Sequence, residues 1–216
     1  MLGERPEIIK LYRMIHVDNL EYILKHGMHI QNSQENDPNY INIGDSVLID
    51  QRHEYPIGID GCGHLGDYIP FYFAGHSPML LNIKTGYRGI QKRSQCEIVY
   101  IVCKLGEIVD CCPDWIFADG HAKDRFTVFY KDLDQLDQID WDVVKAQYWH
   151  NIENDYDRQR RKQAEFLVKN HVPPSCIDEI VVRNEVVKKR VEIIVQRLNL
   201  TLSIYTDTQD EFFYHD

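Results

Sequence analysis

Two short runs of β-branched and aromatic residues, separated by a pair of prolines, constrain the fold of this chain most strongly. Residues 165–170 read "EFLVKN", residues 178–184 read "DEIVVRN", and the connecting "HVPPSCI" contains Pro173 and Pro174. Proline lacks an amide hydrogen and disfavours helix at the residue before it, so no regular helix runs through this region. The pattern predicts two strands, and the first begins with a carboxylate, Glu165.

The rest of the chain adds further strands and a few helices. "YIPFYF" (68–73), "CEIVYIVCKL" (96–105) and "LTLSIYT" (200–206) are typical of strands because they are rich in β-branched and aromatic residues. "EVVKKRVEIIVQRLN" (185–199) has the apolar spacing of an amphipathic helix. "TVFYKDLDQLDQIDWDVVKAQYW" (127–149) suggests helical pieces. Many short strands with few helices indicate an α+β fold.

Two features of the N-terminal third need separate mention. "RMIHVDNLEYILKHGM" predicts the end of a strand followed by a helix, with Asp18 as its N-cap and Gly27 as its stop. Residues 31–68 are polar and glycine-rich, with short strand-like pieces only. A loop of that length in a compact domain is more often functional than idle, so we expect it to form part of a binding site.

Length and composition favour one globular domain. The 216 residues are 44% hydrophobic and 27% charged, which fits a single domain over residues 1–216 with the long loop at 31–68. No apolar run approaches the ~18 residues that would span a bilayer, and the first twenty residues lack the apolar segment of a signal peptide. Six cysteines without Cys-x-x-Cys spacing give no indication of a zinc site. We therefore expect reduced thiols, a cytoplasmic location, and no membrane or metal partner.

The charge restricts the kind of nucleic acid that the chain could bind. A net charge of −10 argues against wrapping duplex DNA, because neutralising phosphates requires a basic surface. It does not exclude a short single strand held in a local cleft. Basic residues cluster in "GYRGIQKR" (86–93) and "DRQRRK" (157–162), although either run has the composition of an ordinary solvated surface.

Several polar and aromatic residues are candidates for a functional role, and each also has a plausible role that is purely structural. His16 precedes a predicted helix and would serve as a structural histidine; Arg52 lies in the long loop and would be solvated. Residues 68–73 would form a buried strand, yet their rings alternate between both faces, so one face could offer a flat surface to a base. Glu165 is the sharpest case: it would either pair with a nearby arginine or serve chemistry that needs a buried acid.

The absence of several common sequence motifs limits the classes of reaction that the chain could catalyse. The chain has no GxGxxG or GxxxxGK loop, no HExxH helix and no GxSxG elbow, which disfavours the common nucleotide-binding, metalloprotease and serine-hydrolase designs. One acid, histidines in loops and an aromatic strand fit a reaction whose substrate carries its own leaving group. NAD is such a substrate: loss of nicotinamide leaves an oxocarbenium-like ribose that one carboxylate can stabilise.

Six ordered blocks resemble the DarT family, the DNA ADP-ribosyltransferase toxins of bacterial toxin–antitoxin pairs. The blocks are "IHVDNLEYILKHGMH", "YINIGD", "GDYIPFYF…SPML", "ADGHA", "LDQIDW" and "QAEFLV", and the resemblance extends from about residue 10 to residue 206. It implies an ADP-ribosyltransferase-like fold, with a central split antiparallel β-sheet and flanking helices. It also implies transfer of ADP-ribose from NAD, as co-substrate, to thymine in single-stranded DNA, within a short sequence motif and with a block of replication as the outcome.

The resemblance also implies site residues. Glu165 matches the catalytic glutamate, and Arg52 matches the arginine of the NAD-binding loop that acts on the acceptor base; whether Arg52 or Glu165 activates that base stays open. His121 of the "DGHA" block matches a histidine near the DNA. The residues expected to contact NAD, besides Arg52, are His16, Asn19, Asn42, Ile43, Gly44, Phe71 and Tyr72.

One departure from the family pattern concerns the DNA side of the site. Many relatives have a Pro-Arg pair before "SPM", whereas this chain has Gly75–His76, so His76 is expected to take the place of a basic contact to DNA. The resemblance further implies a macrodomain antitoxin, of the DarG kind, that removes the modification. We expect a monomeric enzyme.

Other functions remain open from the sequence. The same chemistry could modify guanine, RNA or protein, and product mass on defined oligonucleotides separates these acceptors. An RNA 2′-phosphotransferase would share the fold and the "VPP" segment, but the ordered arginine and histidine pairs that it requires are not found. A non-catalytic nucleic-acid-binding module would not consume NAD.

Overall fold

Ten strands form the framework of the protein, as seen in a computed structural model that describes residues 3–215. Eight of them join in one sheet in the order β10-β9-β4-β1-β3-β7-β5-β6, and β2 pairs with β8 separately. The strands are β1 (Lys10–His16), β2 (Met28–His29), β3 (Tyr68–Tyr72), β4 (Ile98–Lys104), β5 (Trp115–Ala118), β6 (Phe129–Tyr130), β7 (Glu165–Lys169), β8 (His171–Val172), β9 (Glu179–Val182) and β10 (Ser203–Thr206).

The sheet is nearly split between β1 and β3. These strands share a single register pair, Tyr12 with Tyr72, whereas β1 and β4 are paired along their whole length. All pairings in the main sheet are antiparallel except the edge pair β9–β10, which is parallel. The split antiparallel core expected above is therefore confirmed, with one parallel pair added at its edge. The weak junction opens the sheet and creates room for a site.

Seven α-helices flank the sheet within residues 3–215. They are α1 (Leu20–His26), α2 (Ser46–His53), α3 (Pro78–Thr85), α4 (Leu105–Cys111), α5 (Trp141–Lys145), α6 (Arg158–Lys162) and α7 (Glu185–Arg197). The predicted C-terminal helix is confirmed: the Asn184 side chain accepts the amide hydrogen of Val187 at its start, and the apolar stripe of α7 packs into the core. Gly27 ends α1 with a φ of +85°, a conformation that only glycine adopts easily.

The predicted loop at 31–68 contains a helix that the sequence did not reveal. Helix α2 begins after Asp45, whose carboxylate accepts the amide hydrogen of Leu48. None of the residues of α2 is buried, so its sequence has no apolar stripe to mark it. Arg52 therefore lies in the last turn of a helix and not in an irregular loop.

Two smaller expectations also need correction. Asp18 does not cap α1; instead the ring nitrogen Nδ1 of His16 accepts the Asp18 amide hydrogen and begins a 3-10 turn that leads into α1. The segment 127–149 is not wholly helical, since it starts with β6 and continues as a 3-10 turn and α5. No helix within residues 3–215 is long and apolar enough to cross a membrane.

Candidate active site

A cleft of about 360 Å³ opens where β1 and β3 separate. Its volume lies within the range of roughly 300–1,000 Å³ found for small-molecule sites. Strands β1, β3 and β7 form its floor, and α2 with the preceding segment forms one wall. The residues of the cleft that the sequence had singled out are Asn42, Ile43, Gly44, Arg52, Tyr72, His121 and Glu165.

Glu165 lies at the centre of this arrangement. It is the first residue of β7, is 1% exposed, and stands opposite Tyr72 of β3 and Ala118 of β5. The Arg52 guanidinium donates to both of its oxygens, with Nη2 2.9 Å from Oε2 and Nη1 3.3 Å from Oε1. The backbone N–H of Ala122 donates to Oε1 at 2.8 Å. The carboxylate thus joins β7 to two other segments, helix α2 and the turn at Ala122.

The environment keeps Glu165 ionised. Burial alone would raise the pKa of its carboxyl group, but the charge of Arg52, the neighbouring His121 and the two kinds of hydrogen bond lower that pKa below its usual value. A carboxylate offers about four acceptor positions, and three donors occupy three of them. One position on Oε2 remains for a further donor, such as a ligand hydroxyl group.

The turn that supplies the Ala122 amide is held by Arg160 of α6. The Arg160 guanidinium donates to Asp119 at 2.7 Å and to the Thr127 hydroxyl at 3.2 Å, while its carbonyl oxygen accepts the His121 amide hydrogen at 3.0 Å. A Cβ atom on Gly120 would lie 2.9 Å from that same carbonyl oxygen, so glycine is required for this close approach. Part of the basic run 157–162 therefore braces the site and is not free surface.

Arg52 and His121 differ in charge. Although burial opposes it, the Glu165 carboxylate raises the pKa of Arg52 above its usual value, so the guanidinium group stays cationic. Burial lowers the pKa of His121, with a smaller opposing effect of Glu165, so the imidazole is neutral near pH 7. The cleft thus combines a cation, an anion and a neutral imidazole.

Tyr72 and Phe71 point to opposite sides of β3. Tyr72 faces the cleft, where burial and then the Glu165 charge raise the pKa of its hydroxyl group, so the phenol stays neutral. Phe71 is fully buried in the core and does not line the cleft. This follows from the alternation of side chains along a strand, which lets only one of two adjacent residues face a ligand.

The segment 41–44 is positioned by Asn19, which does not itself line the cleft. The Asn19 side chain accepts the Ile41 amide hydrogen and donates to the Ile41 carbonyl oxygen, both at 2.9 Å. Asn42 Oδ1 then accepts the Gly44 amide hydrogen at 2.9 Å and tightens the turn. Asn19, expected to contact a cofactor, therefore acts on the cleft through the backbone of this segment.

His16 and His76 lie outside the cleft. Besides capping the 3-10 turn, His16 places Nε2 3.3 Å from the Glu97 carboxylate. His76 packs its ring against Tyr214, with centroids 3.9 Å apart, and its Nδ1 lies 3.2 Å from the Asp210 carbonyl oxygen. Both histidines thus make structural contacts, and the structure does not bring either of them to Glu165.

Other residues of the cleft escaped the sequence interpretation. Arg13 and Met14 come from β1, His29 from β2, Tyr40 from the segment before α2, and Met79 from the first turn of α3. Arg13 offered one usable signal, since it interrupts the mostly apolar run "LYRMIH" of a predicted strand end. The remaining side chains are brought together only by the separation of β1 from β3.

Comparisons with known proteins agree with this geometry. A family model described as "ssDNA thymidine ADP-ribosyltransferase, DarT" matches residues 12–214. A DNA ADP-ribosyl transferase of Escherichia coli O127:H6 is 38% identical over 201 residues, which cover 93% of this chain and 92% of the relative.

Two solved structures of DarT from Thermus sp. 2.9 show the same fold at 27% identity. The complex with ADP-ribosylated single-stranded DNA has a TM-score of 0.87 and covers 99% of this chain and 100% of the other. The complex with NAD⁺ has a TM-score of 0.78, with a coverage of 97% and 100%.

Proposed function

The chain belongs to the DarT family of single-stranded DNA thymidine ADP-ribosyltransferases, and we propose that it transfers ADP-ribose from NAD to thymine in single-stranded DNA at the cleft around Glu165. The observation that carries this proposal is the buried, ionised Glu165 at the split of the sheet, with one acceptor position left on Oε2. A buried, charged acid in a cleft, with its ionisation set by a specific partner, is a candidate catalytic group.

The chemistry of the first half-reaction follows from that charge. As the bond between nicotinamide and the ribose anomeric carbon breaks, positive charge develops on the ribose, and the Glu165 carboxylate stabilises it. The same carboxylate can accept a hydrogen bond from a ribose hydroxyl group through its remaining position. Tyr72 and the segment 42–44 line the cleft around this point and would exclude water from the reactive sugar.

The second half-reaction needs a group that handles the proton of the acceptor base. A new bond forms between the anomeric carbon and thymine N3, and the N3 proton must leave; its pKa is roughly 10, like that of tyrosine. Arg52 cannot serve as a base because it stays cationic, but it can stabilise negative charge that develops on the thymine. We assign acceptance of the proton to the neutral imidazole of His121, which lines the cleft.

We predict a strong preference for single-stranded over duplex DNA. Thymine N3 takes part in base pairing, so a paired base cannot attack without being unpaired first, which costs a few kcal/mol. The test compares labelling of a thymine-containing oligonucleotide with labelling of the same strand annealed to its complement. Equal labelling of both would contradict N3 as the acceptor atom. The same sequence made as RNA, or with guanine as the only acceptor, separates the alternative substrates.

Helix α2 is predicted to become ordered by NAD. It buries none of its residues, and its ends are held by polar contacts, chiefly Asp45 with Leu48 and Arg52 with Glu165. Local opening of such an element costs little, and a ligand that contacts it suppresses the opening. We expect amide exchange across residues 46–53 to slow on addition of NAD, while α7 serves as an unchanged reference. Equal amide exchange with and without NAD would mean that α2 is already ordered in the free protein, which would contradict the prediction.

The cellular setting proposed here rests on family membership. A bulky group on the pairing edge of thymine would block replication, which fits a toxin, and a DarG-like macrodomain antitoxin would remove the modification. NAD and single-stranded DNA are both available in the cytoplasm, where we place the enzyme as a monomer. The preferred DNA sequence motif would be set by side chains around His121. The Pro-Arg pair of many relatives would not contribute, because this chain has Gly75–His76 in its place.

A further inference from the structure

Arg13 of β1 lines the cleft with an incompletely used guanidinium group. Its Nη1 donates to the Pro70 carbonyl oxygen of β3 at 2.8 Å. Its Nε is buried and has no hydrogen-bond partner. Within residues 3–215, Arg13 takes part in none of the ion pairs, although salt bridges involve many other arginines of the chain. Arg13 therefore keeps hydrogen-bonding capacity that the described residues do not use.

The other charged residues of the cleft wall have partners in the protein. Arg52 is paired with Glu165, Asp45 caps α2 through the Leu48 amide, and Asp37 accepts the Asn39 amide hydrogen at 2.8 Å. Among the described residues that line the cleft, Arg13 is thus the cation whose charge no carboxylate balances. The cleft therefore has an unmatched positive charge at Arg13.

The position of this charge relative to Glu165 is set by the sheet. Arg13 is anchored at Pro70, Tyr72 lies two residues further along β3, and Tyr72 is the register partner of Glu165. Two residues of strand span about 7 Å. In NAD, the anomeric carbon of the nicotinamide ribose is separated from the pyrophosphate by the sugar ring and one methylene group. A ribose at Glu165 would thus place the pyrophosphate on the side of the cleft that Arg13 occupies.

We propose that Arg13 binds the pyrophosphate of NAD and thereby fixes the nicotinamide ribose against Glu165. Guanidinium groups bind phosphate oxygens through charge-assisted N–H donors, and Arg13 retains Nη2 for this purpose, since Nη1 is used by Pro70 and Nε is buried. This inference rests on the proposed function, since it names a residue for the same substrate. Because the DNA backbone also carries phosphates, the experiment must distinguish the two sources.

The test uses Arg13→Gln and three readouts: KM for NAD, KM for the oligonucleotide, and the dissociation constant of ADP-ribose from titration calorimetry, which does not depend on activity. Loss of a charge-assisted contact to phosphate typically weakens binding by roughly 10- to 100-fold. We expect KM for NAD and the dissociation constant of ADP-ribose to rise by about that factor. The KM for DNA should stay within about twofold, and inorganic pyrophosphate should inhibit the wild-type protein more strongly than Arg13→Gln.

Arg93→Gln is the matched control. Arg93 also has a buried Nε without a partner, but it pairs with Glu97 and does not line the cleft. Its replacement should leave all three constants unchanged within about twofold. Arg13→Lys provides the second variant should Arg13→Gln unfold. Lysine keeps the charge but loses the planar guanidinium group, so we expect an intermediate KM for NAD.

The outcomes separate this inference from the proposed function. If wild-type protein neither consumes NAD nor labels DNA but binds ADP-ribose through Arg13, the transferase function fails and the phosphate site stands. If wild-type protein labels DNA and Arg13→Gln keeps its affinity for NAD and ADP-ribose, the inference is overturned. A rise in KM for DNA alone would assign Arg13 to the DNA backbone and would likewise overturn it.

Discussion

Glu165→Gln is expected to lower the rate of transfer by at least about 10²- to 10³-fold, the usual cost of removing one charge-stabilising group from a transition state. Glutamine keeps the size of the side chain and can still accept the Ala122 amide hydrogen. It cannot balance positive charge on the ribose. The measurement is single-turnover transfer to a thymine-containing oligonucleotide at saturating NAD.

A matched control for this substitution is Glu179→Gln. Glu179 is also a strand glutamate in an ion pair, 2.8 Å from Lys10, but it lies on β9 away from the cleft. We expect its activity to match that of the wild-type protein. Wild-type activity in Glu165→Gln would remove this residue from the mechanism.

Glu165→Ala is expected to change stability as well as catalysis, for a reason that the sequence did not show. From its neighbours alone, Glu165 has no evident structural need, and removing a buried acid would be expected to leave the fold intact or to raise the melting temperature. The structure contradicts that premise, because alanine would leave the largely buried Arg52 guanidinium group without its carboxylate partner. Breaking such a pair is destabilising, so we expect a lower melting temperature for alanine than for glutamine.

Arg52→Gln is expected to lower transfer by a similar factor and also to change its pH dependence. In the wild-type protein Arg52 holds the pKa of Glu165 below its usual value, despite burial. Without Arg52, burial dominates and the pKa of Glu165 rises, so the carboxylate becomes protonated at a higher pH. The acid limb of the rate profile should therefore move toward neutral pH, which a rate series from about pH 5 to pH 9 would detect.

Arg52→Lys serves as the intermediate case for this prediction. Lysine keeps the charge and so keeps the pKa of Glu165 lowered, but it cannot donate to both carboxylate oxygens in parallel. We expect a partial loss of rate with the acid limb near its wild-type position. An unshifted profile in Arg52→Gln would mean that the Arg52–Glu165 pair does not set the ionisation of the site.

The strands were largely predictable, because their residues carry the signal. Runs such as 98–104 are apolar and β-branched, and the structure buries every residue of β4 except Lys104. Helix α2 could not be predicted, since it packs no apolar face and depends on a single cap at Asp45. The parallel pairing of β10 with β9 could have been foreseen, because a helix, α7, connects the two strands and such a crossover favours a parallel pair.

The site was predictable only where one residue carries the information. Glu165 stood out because an acid begins an apolar strand. The position of Phe71 in the core could have been foreseen once Tyr72 was placed in the cleft, since adjacent strand residues face opposite sides of a sheet. His16 and His76 could not be placed in advance, because their contacts, with Glu97 and with Tyr214, join segments far apart in the sequence.

The most direct test is mass spectrometry of a single-stranded oligonucleotide that contains one thymine, after incubation with NAD and the wild-type protein. The account predicts a product heavier by one ADP-ribose unit, release of nicotinamide in equal amount, and fragmentation that places the group on the thymine base. Glu165→Gln should give no such product under the same conditions. An unmodified oligonucleotide with the wild-type protein, or the same product with Glu165→Gln, would contradict the central claim that this cleft modifies DNA through Glu165.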